Sequence, residues 1–173
     1  MEKSTVYWGY FFYKDWRMHL ATGPKGLCYV LWPNKLFQEL EDWTKKYFPK
    51  ASLVYDQVHL APYVAQIEDY FRGRRQTFDI SLDLRGTDFQ ISVWRALLQI
   101  PYGTTKSYSD IAKEINRPKA VRAVGGAIGA NPVSIVVPCH RVIGKDGTLT
   151  GFGGGLEIKE ELLRIEGISN IKR

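Results

Sequence analysis

The sequence predicts an α/β protein in two parts, an N-terminal α/β domain over residues 1–85 and a mostly helical C-terminal domain over residues 86–173. The first half mixes aromatic, β-prone segments with segments whose apolar residues recur at helical spacing. After residue 87 the helical spacing dominates. Arg85-Gly86-Thr87 separates the two patterns and marks the boundary between the domains.

The N-terminal half carries five predicted elements. Strands are expected over residues 6–12, 26–32 and 78–84, and helices over residues 36–48 and 62–71. Cys28 lies in the apolar second strand, so we expect it to be an inert core residue. We therefore expect this half to be a scaffold and not to hold a catalytic cluster.

The C-terminal half carries four predicted helices, over residues 88–98, 107–115, 119–128 and 156–165. Thr87 or Asp88 is placed to cap the first helix. Ser107, with Asp110 three residues later, forms a near capping box at the start of the second. Asn116-Arg117-Pro118 makes a tight turn between the second and third helices.

Two helices joined by a short turn form the helix-turn-helix pattern that is typical of nucleic-acid binding. The later helix is unusual because it carries small residues, which weaken a helix: Ala123, Gly125, Gly126, Ala127 and Gly129. Close packing against another helix would explain them. A helix laid into a groove of nucleic acid would explain them as well, with contact mostly to backbone and shape.

Charge and composition narrow the class of protein. The net charge is +6, and the segment from Lys106 to Lys145 holds seven cations against two anions. This excess indicates either a solvated basic face or an acidic partner such as nucleic acid. No apolar run is long enough to span a membrane, and the N-terminus lacks the pattern of a secretory signal. Two distant cysteines favour a reduced, cytoplasmic protein over a disulfide framework or a four-thiolate zinc site.

Pro138-Cys139-His140-Arg141 is the strongest candidate for a reactive site. A thiol next to an imidazole and a cation is the setting in which cysteine becomes a nucleophile, although a buried Cys-His pair in the core is the plainer alternative. If both residues continued a strand, their side chains would diverge, so a bridging water or a local turn is needed. A carboxylate usually fixes such an imidazole. The C-terminal helix offers four, with the choice left open: Glu157, Glu160, Glu161 and Glu166.

The motif resembles the signature of the O6-alkylguanine-DNA alkyltransferases. The matching segments follow the family's order through the whole C-terminal half: Phe89-Gln90 with Val93-Trp94, Ile100-Pro101-Tyr102-Gly103, Ser107-Tyr108, Arg122 to Ala127, Asn131-Pro132, Pro138 to Val142, and Leu163 to Gly167. The first half matches loosely. The resemblance implies a ribonuclease H-like N-terminal domain and a winged-helix form of the helix-turn-helix.

The resemblance also implies roles for individual residues. Cys139 would accept the alkyl group of O6-alkylguanine, or of O4-alkylthymine, in double-stranded DNA, once and irreversibly. His140 would act as a base through a water molecule, with Glu166 orienting it. Asn131 would brace the hinge beside the helix-turn-helix, and Tyr108 would help to rotate the nucleotide and donate to the departing base.

The remaining implied contacts concern DNA and the pocket. Arg122 would fill the gap left by the flipped base, with the protein in the minor groove. The other expected DNA contacts are Tyr108, Ala123, Gly125, Gly126, Ala127 and Arg141. The expected pocket residues are Pro138, Val142, Phe152 and Gly153. Many relatives carry Tyr, and Ser or Ala, where this chain has Phe152 and Gly153, so a hydroxyl is missing and the substrate range shifts toward bulkier adducts. We expect a monomer without metal, cofactor or membrane association.

Three other functions fit parts of the pattern. An alkyltransferase-like sensor would bind damaged DNA without transfer, but such proteins usually carry Trp at the position of Cys139. A redox-sensing helix-turn-helix regulator would oxidise Cys139 instead of alkylating it. A cysteine hydrolase would draw its base from elsewhere in the sequence, which the adjacent His140 disfavours.

Overall fold

The computed structural model describes residues 4–172, and the chain divides into two compact units, one ending at Arg85 and the other beginning at Gly86. The first unit is an α/β sheet domain and the second is mostly helical, which confirms the predicted fold class. Within the described residues, no helix is both long enough and apolar enough to cross a membrane.

A four-stranded sheet forms the first unit. Its strands are β1 (Thr5–Tyr13), β2 (Trp16–Gly23), β3 (Gly26–Leu31) and β4 (Ser52–Tyr55), in the order β3-β2-β1-β4. The first three strands form an antiparallel meander, and β4 pairs in parallel with β1. Two helices accompany the sheet, α1 (Phe37–Tyr47) and α2 (Gln57–Phe71). Cys28 is fully buried and its burial raises the pKa of the thiol, as an inert core residue requires.

The structure departs from the expectations for this unit in three places. Strands β2 and β4 were not predicted: β2 alternates apolar Trp16, Met18 and Leu20 with polar Arg17 and His19, a signal that was overlooked, whereas β4 has only four residues. Helix α2 begins at Gln57, since the Asp56 side chain accepts a hydrogen bond from the backbone N–H of His59, and Pro62 lies inside the helix. Residues 78–84 form no regular strand. They attach to β3 through two backbone hydrogen bonds, from Leu27 N–H to Ser81 and from Asp83 N–H to Leu27.

The second unit contains four helices and two short strands within its described residues. In chain order these are α3 (Asp88–Leu97), β5 (Lys106–Ser107), α4 (Tyr108–Glu114), α5 (Val121–Gly129), β6 (Val142–Ile143) and α6 (Leu156–Ile165). Thr87 with Gln90 and Ser107 with Asp110 form complete capping boxes at α3 and α4. Helices α4 and α5 form the predicted helix-turn-helix, with Asn116 in the left-handed region at φ 62° in the turn.

Trp94 anchors α5 against α3. The indole is 1% exposed, and its Nε1–H donates to the carbonyl of Ala127 at 2.8 Å. Val124 and Ile128 bury the same side of α5. The opposite side of α5 therefore lies at the surface, while these buried residues fix the position of the helix.

Candidate active site

A buried, irregular segment delivers the reactive thiol. Residues 132–138 are buried but form no regular strand, and Cys139–Arg141 is a single 3-10 turn, the local turn that the sequence offered as one way to bring the two side chains together. Ile135 has φ 77°, a conformation that costs a β-branched residue roughly 1–3 kcal/mol. The Asn131 side chain holds this segment at both ends. It donates to the Val137 carbonyl at 2.9 Å and accepts from the Val133 N–H at 3.0 Å.

Glu166 is the carboxylate that reaches the imidazole. Its Oε2 lies 2.5 Å from Nε2 of His140, and both side chains are fully buried. Arg141 donates from Nε to Oε1 of Glu166 at 2.8 Å, and the backbone N–H of Gly103 donates to the same oxygen at 2.9 Å. Of the four carboxylates that the sequence left open, the fold brings Glu166 to His140.

Arg141 belongs to this buried cluster, so its position does not support the expected contact with DNA. It is 6% exposed, and besides Glu166 it binds the carbonyl of Ile100 through Nη1 at 2.6 Å. A guanidinium is costly to bury without partners, and Glu166 and the Ile100 carbonyl supply them. The sequence motif places a cation beside the thiol, but the fold uses that cation to hold the carboxylate.

These contacts set the charge of the pair. Burial alone raises the pKa of Glu166, but the hydrogen bonds from His140, Arg141 and Gly103 outweigh it and bring the pKa to about 2. Burial lowers the pKa of His140, against the attraction of Glu166. At neutral pH the pair is therefore an ionised carboxylate and a neutral imidazole that is ready to take a proton.

The Cys139 thiol rests in its protonated form. It is 4% exposed, and burial raises its pKa, while hydrogen bonds with Asn131 and Ser134 and the charge of Lys159 oppose the rise. Its Sγ lies 3.8 Å from Oγ of Ser134, to which the thiol donates. Activation therefore requires removal of the proton when substrate is present.

Three contributing residues were missed by sequence reasoning: Ser134, Thr150 and Lys159. Lys159 is 1% exposed, and its ammonium donates to the Val142 carbonyl at 2.6 Å and to Oγ1 of Thr150 at 3.2 Å. A detectable signal existed for Lys159, because it shares the buried face of α6 with Leu162 and Leu163. Ser134 and Thr150 carried no such signal, since each lies in an irregular segment.

Tyr108 opens α4 and is half-buried. Its hydroxyl lies 2.5 Å from Oγ1 of Thr150. A Cβ on Gly125 would lie 3.8 Å from the Tyr108 ring, an ordinary van der Waals contact, so α5 passes close to this aromatic side chain. The fold thus connects Tyr108 both to the expected DNA-facing helix and to the loop that follows β6.

The exposed side of α5 carries most of the expected contact residues. Arg122, Ala123 and Gly126 are exposed, and Gly125 is partly buried. Ala127 is 4% exposed and its backbone carbonyl accepts from Trp94 of α3, so its burial does not support the expected contact with DNA. A helical period of 3.6 residues cannot place the three consecutive residues Gly125, Gly126 and Ala127 on one surface.

The expected pocket residues differ in position. Pro138 and Val142 are buried, whereas Phe152 is half-buried and Gly153 is exposed in the loop before α6. The carbonyl of Val142 accepts from Lys159 at 2.6 Å.

The site consists of a buried thiol that is followed by a His–Glu pair, in a unit that contains a helix-turn-helix. This combination is typical of a cysteine-dependent enzyme. Residues 88–168 match the DNA binding domain of 6-O-methylguanine DNA methyltransferase, and residues 6–84 match its ribonuclease-like domain. The chain belongs to the 6-O-methylguanine DNA methyltransferase family.

Curated relatives agree with this family. The inducible methylated-DNA--protein-cysteine methyltransferase of Bacillus subtilis is 54% identical over 164 residues, which cover 95% of this chain and 92% of that protein. The methylated-DNA--protein-cysteine methyltransferase of Methanosarcina barkeri is 46% identical, covering 85% of this chain and 88% of that protein. These names favour a transferase over the regulator and hydrolase alternatives.

Solved structures show the same architecture. The crystal structure of Mycobacterium tuberculosis OGT in complex with DNA has a TM-score of 0.81 and 41% identity, covering 92% of each chain. The structure of the same organism's O6-methylguanine methyltransferase gives the same TM-score and identity, covering 94% of this chain and 93% of that chain. The likeness extends through both units.

Proposed function

We propose that this chain repairs alkylated DNA by direct reversal, with Cys139 as the alkyl acceptor. The observation that carries the proposal is the buried Cys139 thiol next to the His140–Glu166–Arg141 cluster, in the same unit as the helix-turn-helix. Family membership supplies the reaction, and these contacts supply a nucleophile and a base for it. O6-alkylguanine is the main substrate. O4-alkylthymine also carries its alkyl group on an exocyclic oxygen of the base.

The chemistry follows from the resting charges. His140, whose Nε2 is held by Glu166, takes the thiol proton of Cys139 at Nδ1 through a water molecule, and the ionised Glu166 stabilises the imidazolium that forms. The thiolate attacks the alkyl carbon, so an S–C bond forms as the C–O6 bond breaks. The guanine takes the electron pair and a proton, for which Tyr108 is the donor. The thioether is not cleaved again, so each molecule acts once and needs no cofactor.

DNA contact is assigned to the exposed side of α5. We place this face in the minor groove, where Ala123 and Gly126 let backbone approach closely and Arg122 fills the gap left by the flipped base. Flipping costs a few kcal/mol, and these contacts offset it. Exposed cations on and after α4 are available to phosphates: Lys113, Arg117 and Lys119. The protein acts as a monomer in the cytoplasm, and the N-terminal unit serves as support.

Labelled substrate tests the proposal. Duplex DNA that holds radiolabelled O6-methylguanine is incubated with the protein, and the label is located by peptide mapping. We expect the label on Cys139, and we expect Cys28→Ala to accept it like the unmodified chain, since Cys28 is an inert core thiol. Cys139→Ala should accept none. Label on Cys28, or no protein-bound label at all, would overturn the proposal.

A further inference from the structure

A network of hydrogen bonds links Tyr108, at the N-terminus of α4, to Lys159 on the buried face of α6. Thr150 stands at its centre, with Oγ1 2.5 Å from the hydroxyl of Tyr108 and 3.2 Å from the ammonium of Lys159. Lys159 also donates to the Val142 carbonyl at 2.6 Å and reaches the Thr150 carbonyl at 3.5 Å. The hydroxyl of Thr150 thus bridges the half-buried phenol of Tyr108 and the buried ammonium of Lys159.

Donor and acceptor chemistry limits which group can donate at each hydrogen bond of this network. An ammonium has three N–H donors and no acceptor, so Thr150 must accept from Lys159. The hydroxyl of Thr150 has one hydrogen and two acceptor lone pairs, so either hydroxyl can donate across its contact with Tyr108. Accepting from the Lys159 ammonium polarises the Thr150 O–H and makes it the stronger donor, and when Thr150 donates, the hydrogen of the Tyr108 hydroxyl points away from Thr150.

We propose that Thr150 is a positioning residue that turns the hydroxyl hydrogen of Tyr108 toward the departing guanine. The inference rests on the proposed function, in which Tyr108 is the proton donor. Thr150 does not touch the substrate, and it acts through Tyr108.

The proton balance closes without a co-reactant. As the C–O6 bond breaks, the guanine takes the proton of Tyr108, Tyr108 takes that of Thr150, and Thr150 takes one from Lys159. Lys159 is left neutral and regains a proton from the solvent or from His140, which holds the thiol proton of Cys139. Burial lowers the pKa of Lys159 to about 8, against the effect of Cys139, so this ammonium gives up a proton more readily than a surface lysine.

A structural role for Thr150 makes different predictions from this one. If Thr150 only anchored the loop, its loss would slow the reaction by the same factor at every pH. If it orients Tyr108, its advantage requires a protonated Lys159 and shrinks as the pH rises through about 8.

The experiment measures single-turnover methyl transfer from O6-methylguanine in duplex DNA across pH 6–10 for Thr150→Val, Thr150→Ser and Tyr108→Phe. We expect Thr150→Val to be slower at pH 7 by about a hundredfold, the low end of general acid catalysis. Thr150→Ser, which keeps the hydroxyl, should restore the rate. The ratio of the wild-type rate to that of Thr150→Val should fall above pH 8, and in a Tyr108→Phe background Thr150→Val should have no further effect.

Contradictory outcomes separate the two proposals. A wild-type chain that transfers no methyl group would refute the proposed function itself. A wild-type chain that transfers, together with a Thr150→Val rate that is unchanged, reduced equally at all pH values or reduced further in the Tyr108→Phe background, would overturn the role of Thr150 alone. Circular dichroism and thermal unfolding of Thr150→Val and Thr150→Ser establish that both variants fold.

Discussion

Glu166 accepts hydrogen bonds from three groups: the His140 imidazole, the Arg141 guanidinium and the Gly103 N–H. Glu166→Gln keeps the shape but removes the charge, so Arg141 is left as a buried cation without a counter-ion. We expect a loss of roughly 3–5 kcal/mol in the free energy of unfolding, the usual cost of breaking a buried ion pair. Denaturant titration measures it.

Glu161 on the same helix provides the matched control. It pairs with Arg164 at the surface, and such pairs contribute about 0–1 kcal/mol. Glu161→Gln should therefore unfold almost like the wild type. If both substitutions lowered the free energy of unfolding equally, the buried ion pair would contribute no more stability than the surface pair.

The same carboxylate predicts how stability depends on pH. Its folded-state pKa of about 2 lies below the value of about 4.3 for an unfolded glutamate. Between these two values the unfolded chain binds the additional proton, so the stability from Glu166 is complete above about pH 4.3 and is lost as the pH falls toward 2. Unfolding free energies measured from pH 2 to 7 should show a steeper acid loss for the wild type than for Glu166→Gln. Parallel curves would contradict this assignment.

Helix α5 gives a prediction in which stability and binding move in opposite directions. Gly126 is exposed, and a Cβ built on it meets nothing within 4 Å. Gly126→Ala should therefore stabilise the free protein by about 0.5–1 kcal/mol, through helix propensity alone. It should weaken DNA binding by about tenfold, because overpacking a close contact costs roughly 1–3 kcal/mol. Thermal unfolding and a DNA titration measure the two effects, and unchanged affinity would remove Gly126 from the interface.

Elements with local signals were predictable from the sequence, and those fixed by long-range pairing were not. The capping residues Thr87 and Ser107 made the starts of α3 and α4 predictable, because capping depends on residues within one helical turn. Strand β4 is fixed by its parallel pairing with β1, across more than forty residues, and its own four residues carry little information.

The candidate site shows the same division. The thiol, the imidazole and the carboxylate could be named from residue type, order and resemblance. Whether Arg141 faces DNA or Glu166 depends on the placement of α6, which no pattern near residue 141 reports. Thr150 becomes informative only when the fold brings Tyr108 and Lys159 to either side of it.

At the scale of the whole molecule, charge is concentrated where DNA is proposed to bind. The chain carries a net charge of +6, and Lys119 is exposed at the turn that leads into α5. Lys119→Ala should weaken binding at low salt and reduce the slope of log affinity against log salt by about 1, since one phosphate contact is lost. Lys45→Ala, an exposed cation on α1, is the control and should leave the slope unchanged. Equal slopes for both variants would mean that Lys119 makes no phosphate contact.

The claim that Cys139 is consumed by its own reaction is tested most directly by stoichiometry. Protein is mixed with an excess of duplex DNA containing O6-methylguanine, and both repaired guanine and modified Cys139 are counted over time by mass spectrometry. The account predicts that repair stops at one guanine per protein molecule, with every Cys139 methylated. Continued repair beyond that ratio, or repair with Cys139 unmodified, would contradict it.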